Sequence, residues 1–204
     1  MPQLHCWTNS FLTFRDTGDT TPAIVDRMRT ALEAVGWALK PDALIAEQYY
    51  DQSLANWYKD AISGDETYSG ERSSADVIVI ATEAKDMQLI AGGTGADQIA
   101  YYLGAIKALA RKHKIIYLSI NYFDEVGAMY DGWRTDLAKL HTGIKAEIER
   151  IGTYIDVWDW TYNNVAAEDR TTNVCHAIPP YSTAIYNYIM PMILAELNGG
   201  VILS

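Results

Sequence analysis

The sequence predicts an α/β protein in which a parallel sheet of five strands is covered by helices on both faces. Three observations carry that reading. Short, apolar, β-rich runs alternate along the chain with segments of helical period. One run, Val77-Ile78-Val79-Ile80, is continuously apolar and β-branched, as a strand buried on both faces requires. Apolar residues make up 49% of the 204 and charged residues 21%, which is enough for a sizeable core in a single domain spanning residues 1–204.

The elements follow in order. Leu4 to Trp7 opens the chain as the first strand. Thr21-Pro22 offers an N-cap with proline at the first helical position. Ile24, Met28, Leu32 and Val35 then recur at helical spacing until Gly36. Ala43 to Ala46 is a second short apolar run, and Leu54 to Ile62 reads as a helix. The polar stretch Ser63 to Ser74, with Gly64 and Gly70, reads as a loop within the domain. After the third strand, Val77 to Ile80, comes a glycine-rich loop, Ala91 to Gly95. Ile99, Tyr102, Leu103, Ile106 and Leu109 form one helical face, and the basic run Arg111 to Lys114 suits the negative end of that helix. Ile115 to Ile120 is the fourth strand. Trp133, Leu137, Leu140, Ile144, Ile148 and Ile151 mark a long amphipathic helix, and Tyr154 to Trp158 the fifth strand. The last helix runs from Ser182 to Leu197, with Pro191 expected to kink it.

Composition narrows the function classes. There are 16 Lys and Arg against 26 Asp and Glu, a net charge of −10, so nucleic acid and anionic membrane are not expected partners. No stretch approaches the ~20 apolar residues of a membrane span. The opening Met1-Pro2-Gln3-Leu4 lacks the basic-then-apolar pattern of a secretory leader, which leaves a cytoplasmic or virion-associated location as the expectation. Cys6 and Cys175 make neither a disulfide framework nor a zinc site. The chain has 14 Tyr and 6 Trp but only 3 Phe, so most rings carry a polar handle. They suit either the wet edges of an ordinary core or a surface that stacks on sugars or packs on a partner.

In a parallel sheet with right-handed crossovers, every strand ends on the same edge, and ligands bind along it. The segments to inspect are Thr8-Asn9-Ser10, Tyr49-Tyr50-Asp51-Gln52-Ser53 and Ala81-Thr82-Glu83-Ala84-Lys85-Asp86, together with Asn173-Val174-Cys175-His176 before the last helix.

In this layout the chain resembles the SGNH (GDSL-type) hydrolases, three-layer α/β/α sandwiches with a flavodoxin-like central sheet of five parallel strands. His5-Cys6-Trp7-Thr8-Asn9-Ser10 occupies the place of the family's strand and Gly-Asp-Ser, so the resemblance maps Ser10 to the nucleophile. Asn173-Val174-Cys175-His176 occupies the place of the late Asp-x-x-His, which makes His176 the base and puts Asn173 where the acid stands. Ala75 to Ile80 and Tyr154 to Trp158 resemble the strands before the family's Gly-x-Asn-Asp and Asp-x-x-His. Oxyanion and substrate-binding positions fall on Tyr50, Glu83 and Asn9. Tyr50 stands for a glycine that donates its N–H, Glu83 for an asparagine that donates through its side chain, and Asn173 for an aspartate. Losing one oxyanion donor typically costs about 10²–10³ in rate, and exchanging a triad Asp for Asn about 10⁴ in a serine protease.

The resemblance implies a serine esterase or deacetylase acting on acyl or O-acetyl esters, including those of carbohydrate, with no metal and no organic cofactor. Its substrate would be a small-molecule or glycan ester, and a homo-oligomer or larger assembly would be compatible with it. The alternative is a catalytically inactive chain of the same fold that binds carbohydrate or builds a virion or another assembly. Competing roles exist for single residues. Ser10 could be a turn serine capping the next segment, His176 a structural loop histidine, Glu83 a solvated loop acid, and Asp169 a substitute acid. Gly92-Gly93-Thr94-Gly95 lacks the Lys-Ser/Thr of a phosphate loop. His113 and His141 are expected on the surface, and His5 and Cys6 buried in the first strand. Cys175 is a weak nucleophile candidate, because adjacent side chains seldom face one another.

Overall fold

A computed structural model describes residues 1–8, 10–13, 20–40, 75–81, 95–124, 128–170, 172–173 and 176–199. Its strands are β1 (Gln3–Thr8), β2 (Ala38–Lys40), β3 (Val77–Ala81), β4 (Lys114–Leu118), β5 (Thr153–Ile155), β6 (Thr172–Asn173) and β7 (His176–Ala177). Its helices are α1 (Ser10–Thr13), α2 (Ile24–Ala34), α3 (Gly95–Ala110), α4 (Ala128–Ile148), α5 (Val157–Asn164) and α6 (Tyr181–Leu197). Among the described residues, a five-stranded parallel sheet runs in the order β2-β1-β3-β4-β5, and β6 and β7 form a separate antiparallel pair.

The order explains the layers. From β1 the chain steps one way to β2, and from β3 it steps the other way through β4 to β5. Right-handed crossovers in opposite directions place α2 on one face and α3 and α4 on the other. The helices pair accordingly: α3 packs on α4, and α2 packs on α6. Arg27 of α2 donates to the Ser182 carbonyl of α6 at 3.1 Å and lies over the Tyr186 ring. Trp160 of α5 stacks on Tyr188 of α6, ring centres 4.2 Å apart.

With both faces covered, every residue of β3 is buried, as its unbroken β-branched run requires. α2 buries Ile24, Val25, Met28 and Leu32. α4 buries Leu137, Leu140, Ile144 and Ile148, the apolar stripe of its sequence, while Ile151 falls in the turn beyond. α2 ends on Gly36, whose φ of 82° suits a residue without Cβ. Gly36 N–H donates to the Glu33 carbonyl at 3.1 Å and Trp37 N–H to the Leu32 carbonyl at 3.0 Å, the paired bonds of a Schellman stop. At Gly152, between α4 and β5, a Cβ would lie 2.5 Å from the Ile115 carbonyl oxygen, so only glycine lets the turn pass that close to β4.

Four boundaries differ most from the sequence reading, one of them the fourth strand, which spans Lys114–Leu118 where Ile115 to Ile120 was expected. The second strand of the sheet is Ala38–Lys40, while the expected run Ala43 to Ala46 lies outside the described residues. α2 starts at Ile24 behind an extended Ala23 (ψ 158°), not at Pro22, because proline's fixed φ fits an extended lead-in as well as a helical turn. The fifth strand stops at Ile155; Val157 and Trp158 belong to α5, because the Asp156 carboxylate accepts the Asp159 N–H at 3.0 Å and starts a helix there. The expected helix Leu54 to Ile62 and loop Ser63 to Ser74 lie outside the described residues, as does the expected loop Ala91 to Gly95 except for Gly95, which begins α3. The last helix continues across Pro191 from Tyr181 to Leu197. No helix among the described residues is long and apolar enough to cross a membrane.

Candidate active site

The place where crossovers diverge is the gap between β1 and β3, and open α/β sheets bind ligands outside the carboxyl ends of the strands at such a point. Thr8 at the end of β1 is in register with Ala81 at the end of β3, which is in register with Leu118 at the end of β4. The segments that follow these strands therefore start from one edge. α1 begins two residues beyond β1, and its Phe11 and Leu12 are buried, which fixes this single turn against the core. Ser10 is the first residue of α1.

The closing segment reaches the same rim. β6 and β7 form a tight hairpin in which Asn173 and His176 are register partners. β7, which starts at His176, packs against α1, and its Ala177 is buried. Ser10 and His176, far apart in sequence, thus begin two elements that touch. His176 is half-buried.

Asn9, Tyr50 and Glu83, the expected oxyanion and substrate-binding positions, lie outside the described residues, as do Tyr49 and Cys175. Asp169 ends a short 3₁₀ turn, Ala167–Asp169, and is exposed. His5 and Cys6 are buried in β1 as expected, and burial pushes the Cys6 thiol up to about 12. His113 is half-buried, its Nδ1 2.7 Å from the Ala75 carbonyl oxygen. His141 corrects the surface reading: it is 5% exposed, enclosed by the rings of Tyr117 and Trp158. Burial drives its pKa down to about 3, against a smaller raising effect of the Asp156 charge. Among the described residues, no group of three His, Cys, Asp or Glu side chains gathers to hold a metal ion.

Sequence reading missed the residues that frame the hairpin. Beyond β4, Tyr122 packs edge-on against Trp158 and Tyr162, with ring centres 5.3 and 4.8 Å apart. The Arg170 guanidinium lies over the rings of Tyr122 and Tyr162, at 5.2 and 5.5 Å. Its Nε is 3.5 Å from the Asp124 carboxylate. The Tyr181 hydroxyl donates to the Tyr122 carbonyl, and burial pushes that phenol up to about 12. One signal was available: Arg170 is the only Lys or Arg after Arg150.

The five-stranded parallel sheet in this order, with helices on both faces, is that of an SGNH hydrolase-like fold. Solved structures agree over nearly the whole chain. A lipase/acylhydrolase from Enterococcus faecalis superposes with a TM-score of 0.67 at 15% identity, covering 96% of this chain and 97% of that one. A carbohydrate acetylesterase family member from Sinorhizobium meliloti gives 0.61 at 16% identity, covering 97% and 100%. LAE5, an α/β hydrolase enzyme from the metagenome of Lake Arreo, Spain, gives 0.62 at 14% identity, covering 98% and 96%. No protein-family model and no curated protein matches the sequence.

Proposed function

We propose that this chain is a serine ester hydrolase of the SGNH type, an esterase or deacetylase acting on acyl or O-acetyl esters, with carbohydrate esters as its substrate class. The observation that carries the reading is the packing of α1, which begins at Ser10, against β7, which begins at His176. A serine hydroxyl is a weak nucleophile until a base takes its proton, and the hairpin brings a histidine to the serine's turn. The solved acetylesterase and acylhydrolase of the same fold support the choice of ester chemistry.

In this mechanism Ser10 Oγ attacks the acyl carbonyl carbon while His176 takes the hydroxyl proton. The proposed oxyanion donors are the Ser10 N–H and, by the family resemblance, the backbone N–H at Tyr50. Collapse expels the alcohol, which receives the proton from His176, and leaves an acyl-serine ester. A water deprotonated by His176 then releases the carboxylic acid and restores Ser10. Asn173, register partner of His176, orients the imidazole without stabilising its charge. An aspartate at that role can contribute about 10⁴ in rate, so turnover here is slow.

The test is labelling by a fluorophosphonate probe together with hydrolysis of nitrophenyl acetate. Labelling of the native protein is expected, with loss in Ser10→Ala and a fall of at least ~10²-fold in His176→Ala. An unlabelled, inactive native protein defeats the reading. Asn173 in the acid's place favours a second one, a glycan-binding protein that kept the fold without the reaction; retention of an acetylated oligosaccharide by that unlabelled protein would support it.

A further inference from the structure

We infer that Tyr122 is the anchor that fixes the His176 hairpin at the rim, with Arg170 and Tyr181 as its two tethers and as positioning residues for the reaction. The segment 171–180 carries β6 and β7, and with them Asn173 and His176. Arg170 immediately precedes it and Tyr181 immediately follows it. Both bind the same residue from different sides. Arg170 holds the ring of Tyr122 through its guanidinium face, and Tyr181 holds the main-chain carbonyl of Tyr122 through its hydroxyl. The segment thus leaves from and returns to one point, as a compact loop with adjoining ends does.

The anchor is itself immobilised. Tyr122 N–H donates to Thr161 Oγ1 of α5 at 3.0 Å, and Thr161 Oγ1 donates in turn to the Val157 carbonyl at 2.7 Å. Trp158 N–H donates to Ser119 Oγ at 2.9 Å, tying the same helix to the end of β4. Tyr122 therefore belongs to the rigid end of the sheet, while the hairpin is two residues per strand and has little pairing of its own.

The burial of Arg170 points the same way. Its side chain is only 9% exposed, and a guanidinium is taken out of water at a cost unless something faces it. Among the described residues, two tyrosine rings and Asp124 face it, all on the β4 exit and α5. Arg suits this better than Lys, because its planar cation stacks on rings. The catalytic consequence rests on the ester-hydrolase reading above. A base displaced by about 1 Å can lose roughly 10²-fold in rate without changing how substrate binds.

The experiment compares Arg170→Met, Arg170→Lys and Tyr181→Phe with the native chain by amide hydrogen exchange and by ester hydrolysis. Exchange at residues 172–177 is expected to quicken in Arg170→Met and Tyr181→Phe, with β3 and β4 unchanged, and to recover in part in Arg170→Lys. On nitrophenyl acetate, kcat should fall about 10–100-fold in Arg170→Met while KM stays within about threefold. Unchanged exchange at 172–177, or a rise shared by the whole sheet, overturns the tether. A KM rise with kcat intact overturns the positioning role. Exchange needs no turnover, so an inactive native protein would defeat the hydrolase reading and leave the tether measured.

Discussion

His141 is a neutral imidazole sealed in the core, and among the described residues neither ring nitrogen has a hydrogen-bond partner. Its folded pKa of about 3 lies well below the 6.5 of a solvated histidine. Between those values the unfolded chain binds a proton that the folded chain does not, so the fold loses stability as pH falls from 6.5 towards 3. The slope from this one group approaches about 1.4 kcal/mol per pH unit. Denaturant midpoints at pH 7.5 and pH 5 should therefore fall further apart in the native chain than in His141→Phe; equal separations would refute this account. The sequence held part of the signal. His141 stands next to Leu140 and four residues after Leu137, on the flank of the buried stripe of α4, but an ionisable side chain at the edge of an apolar face reads as solvated until its neighbours are known. Tyr117 and Trp158, which enclose it, come from β4 and α5, and no local period announces them.

Asp156 decides where β5 gives way to α5. One carboxylate oxygen accepts the Asp159 N–H at 3.0 Å, and the other meets Lys145 Nζ of α4 at 2.6 Å. That bond is the largest cause holding the Lys145 ammonium above its usual range. Lys145 is 43% exposed, so the ion pair is screened by water and worth less than the cap. Removing a cap typically costs about 0.5–2 kcal/mol. Asp156→Ala should lose that amount in a denaturation curve and Asp156→Asn, which keeps a cap oxygen, under half of it; equal losses would assign the stability to the charge. The same residue shows why the element boundary was misread. Tyr154 to Trp158 is a short, largely apolar run, and such a run fits a strand or the start of a buried helix equally well. β2 was hidden for a different reason: three residues, one of them a lysine, make no pattern, and their place is set by pairing with Gln3, Leu4 and His5.

On the scale of the molecule, the alternation of periods was enough for the sheet, because β3 and β4 are buried on both faces and write that burial as continuous apolar sequence. The proposed site was legible only as chain order: a serine after the first strand and a histidine before the last helix. The hairpin and its Tyr122 anchor were not, since they depend on contacts between segments distant in sequence. Cys6 gives a probe of the whole fold. It is buried in β1, an interior strand of the sheet, with its thiol pushed up to about 12 by burial. In a Cys175→Ser background, an aromatic disulfide reagent should react with Cys6 only at the rate of global unfolding and speed up with denaturant in step with it. Fast reaction in the native state would show that β1 opens on its own. That interior position also bears on biosynthesis. β1 leaves the ribosome before the rest of the sheet, yet one of its two neighbours, β3, is complete only when Ala81 has been made. Until then one flank of β1 offers bare amides and carbonyls to any passing strand, and a nascent fragment ending before residue 77 exposes an adhesive border.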